Sequence, residues 1–239
     1  TGIYYENSVF RNIDGSTRIL GIWDQSIQDG QPPQNFLYGT EYTKEMIDAA
    51  LSSDNPKALV PTQDESGHGT FLASVAAGGA DVENQFLGAA PESKLAIVKL
   101  KPAKKYLKEF YLITEEKECY QENDIMLGMR YLNELANRYD MPLVICIALG
   151  SNMGGHNATL PITGLLEMYA NIANRAVVIG GGNEANQRHH FYGKAENVND
   201  IKKAEVRVDG GIKGFTMELW TDIPNIVAVS IISPSGERI

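Results

Sequence analysis

The chain has 239 residues, 43% of them hydrophobic and 21% charged, with a formal net charge of −9, an ordinary globular composition for one large domain or one domain and part of a second. The acidic balance speaks against a nucleic-acid partner, which needs a basic face, and no apolar run is long enough to cross a bilayer. The start, TGIYYENSVF, has no basic flank followed by an apolar stretch and so does not read as a signal peptide. The two cysteines suit neither a disulfide framework nor a zinc site. Cys119, in a charged stretch, reads as exposed, and Cys146, inside LVICIAL, reads as buried.

In chain order, RILGIWD (18–24) is a short apolar run closed by an acid, the pattern of a buried strand. TKEMIDAALSS (43–53) predicts a helix capped by Thr43. HGTFLASVAAGG (68–79) predicts a helix of small residues that ends in glycines, and KLAIVKLK (94–101) a second strand. Residues 102–123 have no clean period and read as an inserted loop or short helix. The basic tract Lys101 to Tyr106 reads as solvated. NDIMLGMRYLNELANRY (123–139) is amphipathic, with Ile125, Met129, Leu132, Leu135 and Tyr139 on one face and Asn123 as the expected cap. LVICIALG (143–150) is a third strand, PITGLLEMYANIANR (161–175) a helix opened by Pro161, and AVVIGGGN (176–183) a fourth strand. Alternating strands and helices predict a parallel sheet covered on both faces. After about residue 194 the pattern changes. KKAEVRVDGG, IKGFTMELWTD and NIVAVSIISPSGE alternate apolar and polar residues between Gly, Asp and Pro turns, which predicts antiparallel strands.

In parallel α/β sheets ligands bind at the carboxyl ends of the strands. Those ends carry Asp24, then Leu149-Gly150-Ser151, then Gly182-Asn183-Glu184. Asp24 on its own reads equally as a turn-starting residue. His68 lies between Gly67 and Gly69 at a predicted helix start. The helix dipole there favours the neutral ring, which can accept a proton, and a buried carboxylate such as Asp24 could fix its tautomer. Gly180, Gly182 and Ala185 also fit a dinucleotide-binding fingerprint. That reading is discounted because a polar run, Asn186 to His190, follows where an apolar helix is required. The Asn183 amide is instead a candidate donor to a developing oxyanion. His189 and His190 are adjacent and lack a third ligand, so they read as a polar loop and not a metal pair.

Asp24 in ILGIWDQS, His68 in GHGTFLA and Asn183 in GGGNEAN, in this order, resemble the subtilisin-like serine proteases, or subtilases. The resemblance runs from residue 18 to about 187. It implies a partial doubly wound α/β parallel sheet of subtilisin type over residues 1–194. It assigns Asp24 and His68 to a catalytic triad and Asn183 to the oxyanion hole. It also implies a polypeptide substrate pairing with Ala148, Leu149 and Gly150, with Gly180, Gly181 and Gly182 forming the opposite wall of the specificity pocket. GIWDQSIQDGQPP, YGTEYTKEMIDAAL, DESGHGTFLASVAAG, KLKPAKKYLKEFY, QENDIMLGMRYL and HHFYGK further resemble the Csp-type subset, clostridial spore-germination proteases with a β jelly-roll domain inserted after the oxyanion Asn. Residues 195–239 would then be the first strands of that insert. The implied role is processing of a cortex-degrading enzyme precursor during germination, in a spore-associated or extracytoplasmic setting.

Three departures matter. The family's nucleophile lies in a G-T-S-x-A turn, and Ser26, Ser151, Ser230, Ser233 and Ser235 all lack that context. The chain therefore reads as an N-terminal fragment, inactive alone, whose natural partner is the C-terminal remainder of its own chain. A catalytically silent scaffold of the same fold is the alternative. Gln25-Ser26 stands where a small residue and Gly usually follow the acid, and Ala148 where many relatives have Ser. No cofactor is expected. Asp81, Glu83 and Asn84 offer oxygen ligands where subtilisins often bind calcium, but Pro33 replaces the matching upstream acid.

Overall fold

The computed structural model describes residues 1–212 and 214–239. A 3-10 turn at Ser8–Phe10 precedes β1 (Ile19–Asp24), β2 (Thr40–Thr43), α1 (Lys44–Leu51), the short α2 (Pro56–Leu59) and α3 (His68–Ala77). Then come β3 (Leu95–Lys99), α4 (Lys105–Phe110), α5 (Glu122–Arg138), β4 (Leu143–Ile147), α6 (Pro161–Ala170), β5 (Arg175–Ile179) and a 3-10 turn at Ala185–Gln187. β1 pairs in parallel with β3 and antiparallel with β2, and β4 pairs in parallel with β5. The fold is mixed α/β with parallel strand pairs, as the alternation of elements predicts.

β1 is the best-buried strand, with five of its six residues buried. Ile19 and Ile22 join Ile3, Phe10, Tyr42 and Ile47 in one cluster, while Trp23 packs on the other face with Phe36, Tyr131 and Leu135. Trp23 and Phe36 lie 4.6 Å apart between ring centroids, a tilted aromatic contact. Gly21 lets α5 pack close, because a Cβ would stand 2.6 Å from the Tyr131 hydroxyl. α5 spans both sheets, touching β1, β3 and β4. Met129 on α5, Ile145 on β4 and Tyr169 on α6 form the third cluster.

Several expectations need correction. β2 was absent from the sequence reading because its four residues look like a helix cap. Thr43 does cap α1, accepting the Met46 N–H, but Thr40 to Thr43 also form an edge strand. The cap of α5 is Gln121, not Asn123, whose side chain receives the Gln121 amide instead. α6 ends at Ala170, short of residue 175. The four expected strands do not share one hydrogen-bonded sheet, since β4 and β5 form a separate pair. Helices cover only one face of that pair, so Val144 and Val178 are 66% and 54% exposed. For the same reason Cys146 is exposed, and Cys119 is the half-buried thiol. None of the three strands predicted after residue 195 forms a ladder among the described residues, and only the isolated bridge Ile232–Arg238 pairs there. A strand exists through its neighbours' backbone groups, and the described residues of these segments lie almost wholly exposed outside any ladder.

Arg18 is 3% exposed and enters β1. Its guanidinium donates to the carbonyls of Ser93 (2.6 Å), Val9 (2.6 Å) and Ala77 (2.5 Å). One side chain thus ties the start of β1 to the end of α3 and the approach to β3. Burial pushes its pKa down, and three charge-assisted bonds offset that cost. Arg18→Met should destabilise the fold by about 3 kcal/mol, read as a lower urea midpoint with an unchanged slope.

Candidate active site

Asp24 ends β1 with no exposure to solvent. A carboxylate so placed needs donors, and it has them. Oδ1 accepts the Ser26 N–H at 2.9 Å and the Ser26 hydroxyl at 2.5 Å. Oδ2 accepts the buried Thr62 hydroxyl at 2.6 Å and lies 3.8 Å from Lys99 Nζ. Lys99 is the strand partner of Asp24 on β3, which brings both side chains to one face. The next residue, Gln25, is also buried. It donates through Nε2 to the Asp124 carbonyl at 3.0 Å, and its own N–H donates to the Lys99 carbonyl at 2.9 Å. Asp124, itself buried in the first turn of α5, accepts the Tyr38 hydroxyl at 2.8 Å and an ion pair from Lys101, whose ammonium lies 3.9 Å over the Tyr38 ring. Burial and the Asp124 bond raise the Tyr38 pKa. Lys101 is therefore a structural cation and not a solvated one, which corrects the reading of the basic tract at its first residue.

His68 opens α3. Its backbone N–H donates to Ser66 Oγ at 3.3 Å, and the side chain is exposed. Gly67 adopts φ +77° as the N-cap, a conformation that favours glycine. The cap itself comes from Asp64. Its carboxylate accepts the Thr70 N–H (2.8 Å), the Thr70 hydroxyl (2.6 Å) and the Gly67 N–H (3.1 Å). Gly69 gives close access, because a Cβ there would stand 2.1 Å from the Gly2 carbonyl oxygen. The Thr1 hydroxyl accepts the Gly69 N–H, and Tyr4 donates to Thr70. The backbone that approaches the glycine is thus the chain's own first residues. A cavity of about 310 Å³ lies beside this helix start, lined by Ser26, Ser66, Lys99 and Glu118 among others. His68 is not among the partners of the Asp24 carboxylate, whose donors are Ser26, Thr62 and Lys99.

The loops after β4 and β5 run side by side. The Gly180 N–H donates to the Ile147 carbonyl at 3.1 Å, extending the ladder, and a Cβ on Gly150 would lie 3.8 Å from Gly182 Cα. Ala148 thus lies near Gly180 and Gly150 near Gly182, while Gly181 has open space around it. Asn183 follows at the exposed exit. Only a single 3-10 turn comes next, where a dinucleotide fingerprint would need a long helix. His189 lies 2.7 Å from Glu184 and 3.3 Å from the Asn152 amide, and His190 stacks on His156 at 4.3 Å. The sequence reading missed His156 because it lies 33 and 34 residues away. Glu218 also reaches the same loop, accepting from Gly154 N–H and Trp220 Nε1. Among the described residues, no hydrogen bond or ion pair joins these loops to Asp24 or His68, and no three His, Cys, Asp or Glu side chains form a metal cluster. Asp81 is bonded to Asn84 through both carboxylate oxygens.

The match to a family model decides the family: the subtilase model covers residues 15–238. The chain belongs to the subtilase family. Among solved structures it is similar to the CspB protease of Clostridium perfringens, with 30% identity and a TM-score of 0.64 over 78% of this chain. The chain spans 35% of the length of that protease. Among curated proteins none matches. The residues that carry the resemblance lie at the end of β1 (Asp24), at the start of α3 (His68) and after β5 (Asn183).

Burial raises the Asp64 pKa, but the bonds from Thr70 and Gly67 outweigh it and hold the carboxylate below its ordinary value. A depressed folded-state pKa adds stability above the unfolded value of about 3.9 and loses it as the pH falls through the folded value. Asp64→Ala should cost about 1 kcal/mol at pH 7. It should also remove that part of the acid-side loss, seen by comparing thermal melts at pH 7 and pH 3.

Proposed function

We propose that the chain is the N-terminal part of a subtilisin-type serine endopeptidase. The observation that carries this reading is the buried carboxylate at the end of β1, with one cavity lined both by Ser26, which donates to it, and by Ser66, just before the helix that begins at His68. In the complete enzyme a serine outside these 239 residues attacks the scissile carbonyl, His68 takes its proton, Asp24 orients the imidazole, and the Asn183 amide stabilises the oxyanion. The substrate is a polypeptide lying as an added strand along Ala148, Leu149 and Gly150, against Gly180, Gly181 and Gly182. Residues 195–239 alternate in pattern but form no ladder among the described residues, and on this reading they belong to an inserted β domain that other parts of the complete protein would pair. The likeness to the CspB protease supports a protease reading, and the Csp-type motifs would make its role the processing of a proenzyme in spore germination.

One observation favours a second reading, a scaffold of the same fold without catalysis. The Asp24 carboxylate already has its donors and His68 is not one of them. The two readings separate experimentally. The 239-residue chain should not hydrolyse a peptide library, and hydrolysis blocked by a serine-directed phosphonate would overturn the external nucleophile. The chain extended through a G-T-S-x-A turn should hydrolyse it, and Asn183→Ala should lower kcat roughly 10²–10³-fold. An extended protein with that turn intact but no turnover would favour the scaffold.

A further inference from the structure

The loop that follows β4 depends on a distant part of the chain. Gly154 adopts φ +96°, a conformation that favours glycine, and a Cβ there would stand 2.5 Å from the Leu160 side chain. This packing buries Gly154, and a buried N–H needs an acceptor. Among the described residues that acceptor is the Glu218 carboxylate, at 2.8 Å and 64 residues further on. The same oxygen, Oε2, accepts the Trp220 indole N–H at 2.9 Å. The Trp220 ring lies against Gly155, where a Cβ would stand 3.2 Å from Cε3. Asp222 extends the row and accepts the Asn157 amide at 3.4 Å. Glu218, Trp220 and Asp222 are alternate residues, which an extended segment presents on one face. The alternation of FTMELWTD thus meets a loop, and not a ladder, among the described residues. That loop directly continues Ala148, Leu149 and Gly150. It also meets the exit of β5, through Asn152 with His189 and His156 with His190.

We propose that Glu218 is a positioning residue that clasps this loop and thereby sets the exit of β4, Ala148 to Gly150, against which the substrate would lie. The part that concerns substrate rests on the protease reading. The bond to Gly154 is charge-assisted, and such bonds are stronger than neutral ones. The Trp220 bond, and after it the Gly154 bond, hold the Glu218 carboxyl below its ordinary value. A depressed carboxylate pKa means that the clasp is complete at neutral pH and is lost as the pH falls through the lowered value. The other titratable groups around it are Asp222 on its own segment, His156 on the loop, and His190, His189 and Glu184 at the exit of β5. Histidines titrate well above carboxylates, so their step is separate from that of Glu218.

The test follows amide and indole N–H resonances of the 239-residue chain by NMR and needs no turnover. In the unmodified chain the Gly154 and Trp220 signals should move together on acidification, with one midpoint below the ordinary glutamate value. Glu218→Gln keeps an acceptor, so both bonds should persist at neutral pH while the shared midpoint disappears. Glu218→Ala should speed hydrogen exchange of the Gly154 amide about tenfold and shift the Leu149 and Gly150 amides, while those of β1 stay in place. If Glu218→Ala fails to fold by circular dichroism, Trp220→Phe decides instead, and it should raise the Gly154 midpoint towards the ordinary value. Separate midpoints for Gly154 and Trp220, or a shared one in the histidine range, overturn the clasp. A Gly154 amide that responds to Glu218→Ala while Leu149 and Gly150 do not overturns the positioning of the β4 exit. The protease reading fails separately: an extended protein with these shifts as expected but no turnover would leave the clasp standing without a substrate.

Discussion

A carboxylate with no access to water, at the end of the best-buried strand, is the constraint on which the rest of this structure turns. Asp24 is fully buried, and an uncompensated charge there would cost several kcal/mol, a large share of a domain's stability margin. Its neighbours are arranged accordingly. Ser26 turns the chain back to donate twice, Thr62 is buried to supply a hydroxyl, and β3 is registered so that Lys99 lies opposite. The next residue, Gln25, fastens the same strand end to α5 through Asp124, which in turn holds Lys101 and Tyr38. Two ion pairs, Lys99 with Asp24 and Lys101 with Asp124, thus secure the exits of β1 and β3.

The β4–β5 pair is built differently. α5 and α6 cover one face, and Val144, Cys146 and Val178 are left on the other. The loops that leave this pair carry the glycines, Asn183 and three of the four histidines, and they are held to one another by polar contacts. Polar contacts between exposed groups are worth little each, whereas the Asp24 end is fixed by burial. The two halves of the candidate site therefore differ in how firmly the fold holds them. The half bearing Asp24 is part of the core, and the half bearing Asn183 is surface.

Much of this was legible in the sequence. The apolar run closed by Asp24, the small-residue helix behind His68, the amphipathic stretch of α5 and the paired glycine exits each follow from local periodicity or turn chemistry. Those signals also carried the family resemblance. The parts that were not legible are all long-range. β2 is too short to show a period and is a strand only because β1 lies beside it. The partners of Asp24 come from positions 26, 62 and 99, and nothing local marks Thr62 or Lys99 as belonging to it. Cys146 looked buried because an apolar run does not say whether one face or two will be covered. The alternating segments after residue 195 have the pattern of strands but no ladder, since the pattern specifies a face and not a neighbour.

The sequence by itself determined the order and type of most of the main elements, the subtilase motifs and the candidate site residues. These are properties of spacing and side-chain type, which the chain holds before it folds. The tertiary structure alone decided that Asp24 is shared by Ser26, Thr62 and Lys99, that Lys101 is paired with Asp124, and that His156 joins His190. The physical reason is that burial and charge compensation are satisfied by whichever groups packing brings within about 4 Å, however far apart they lie along the chain.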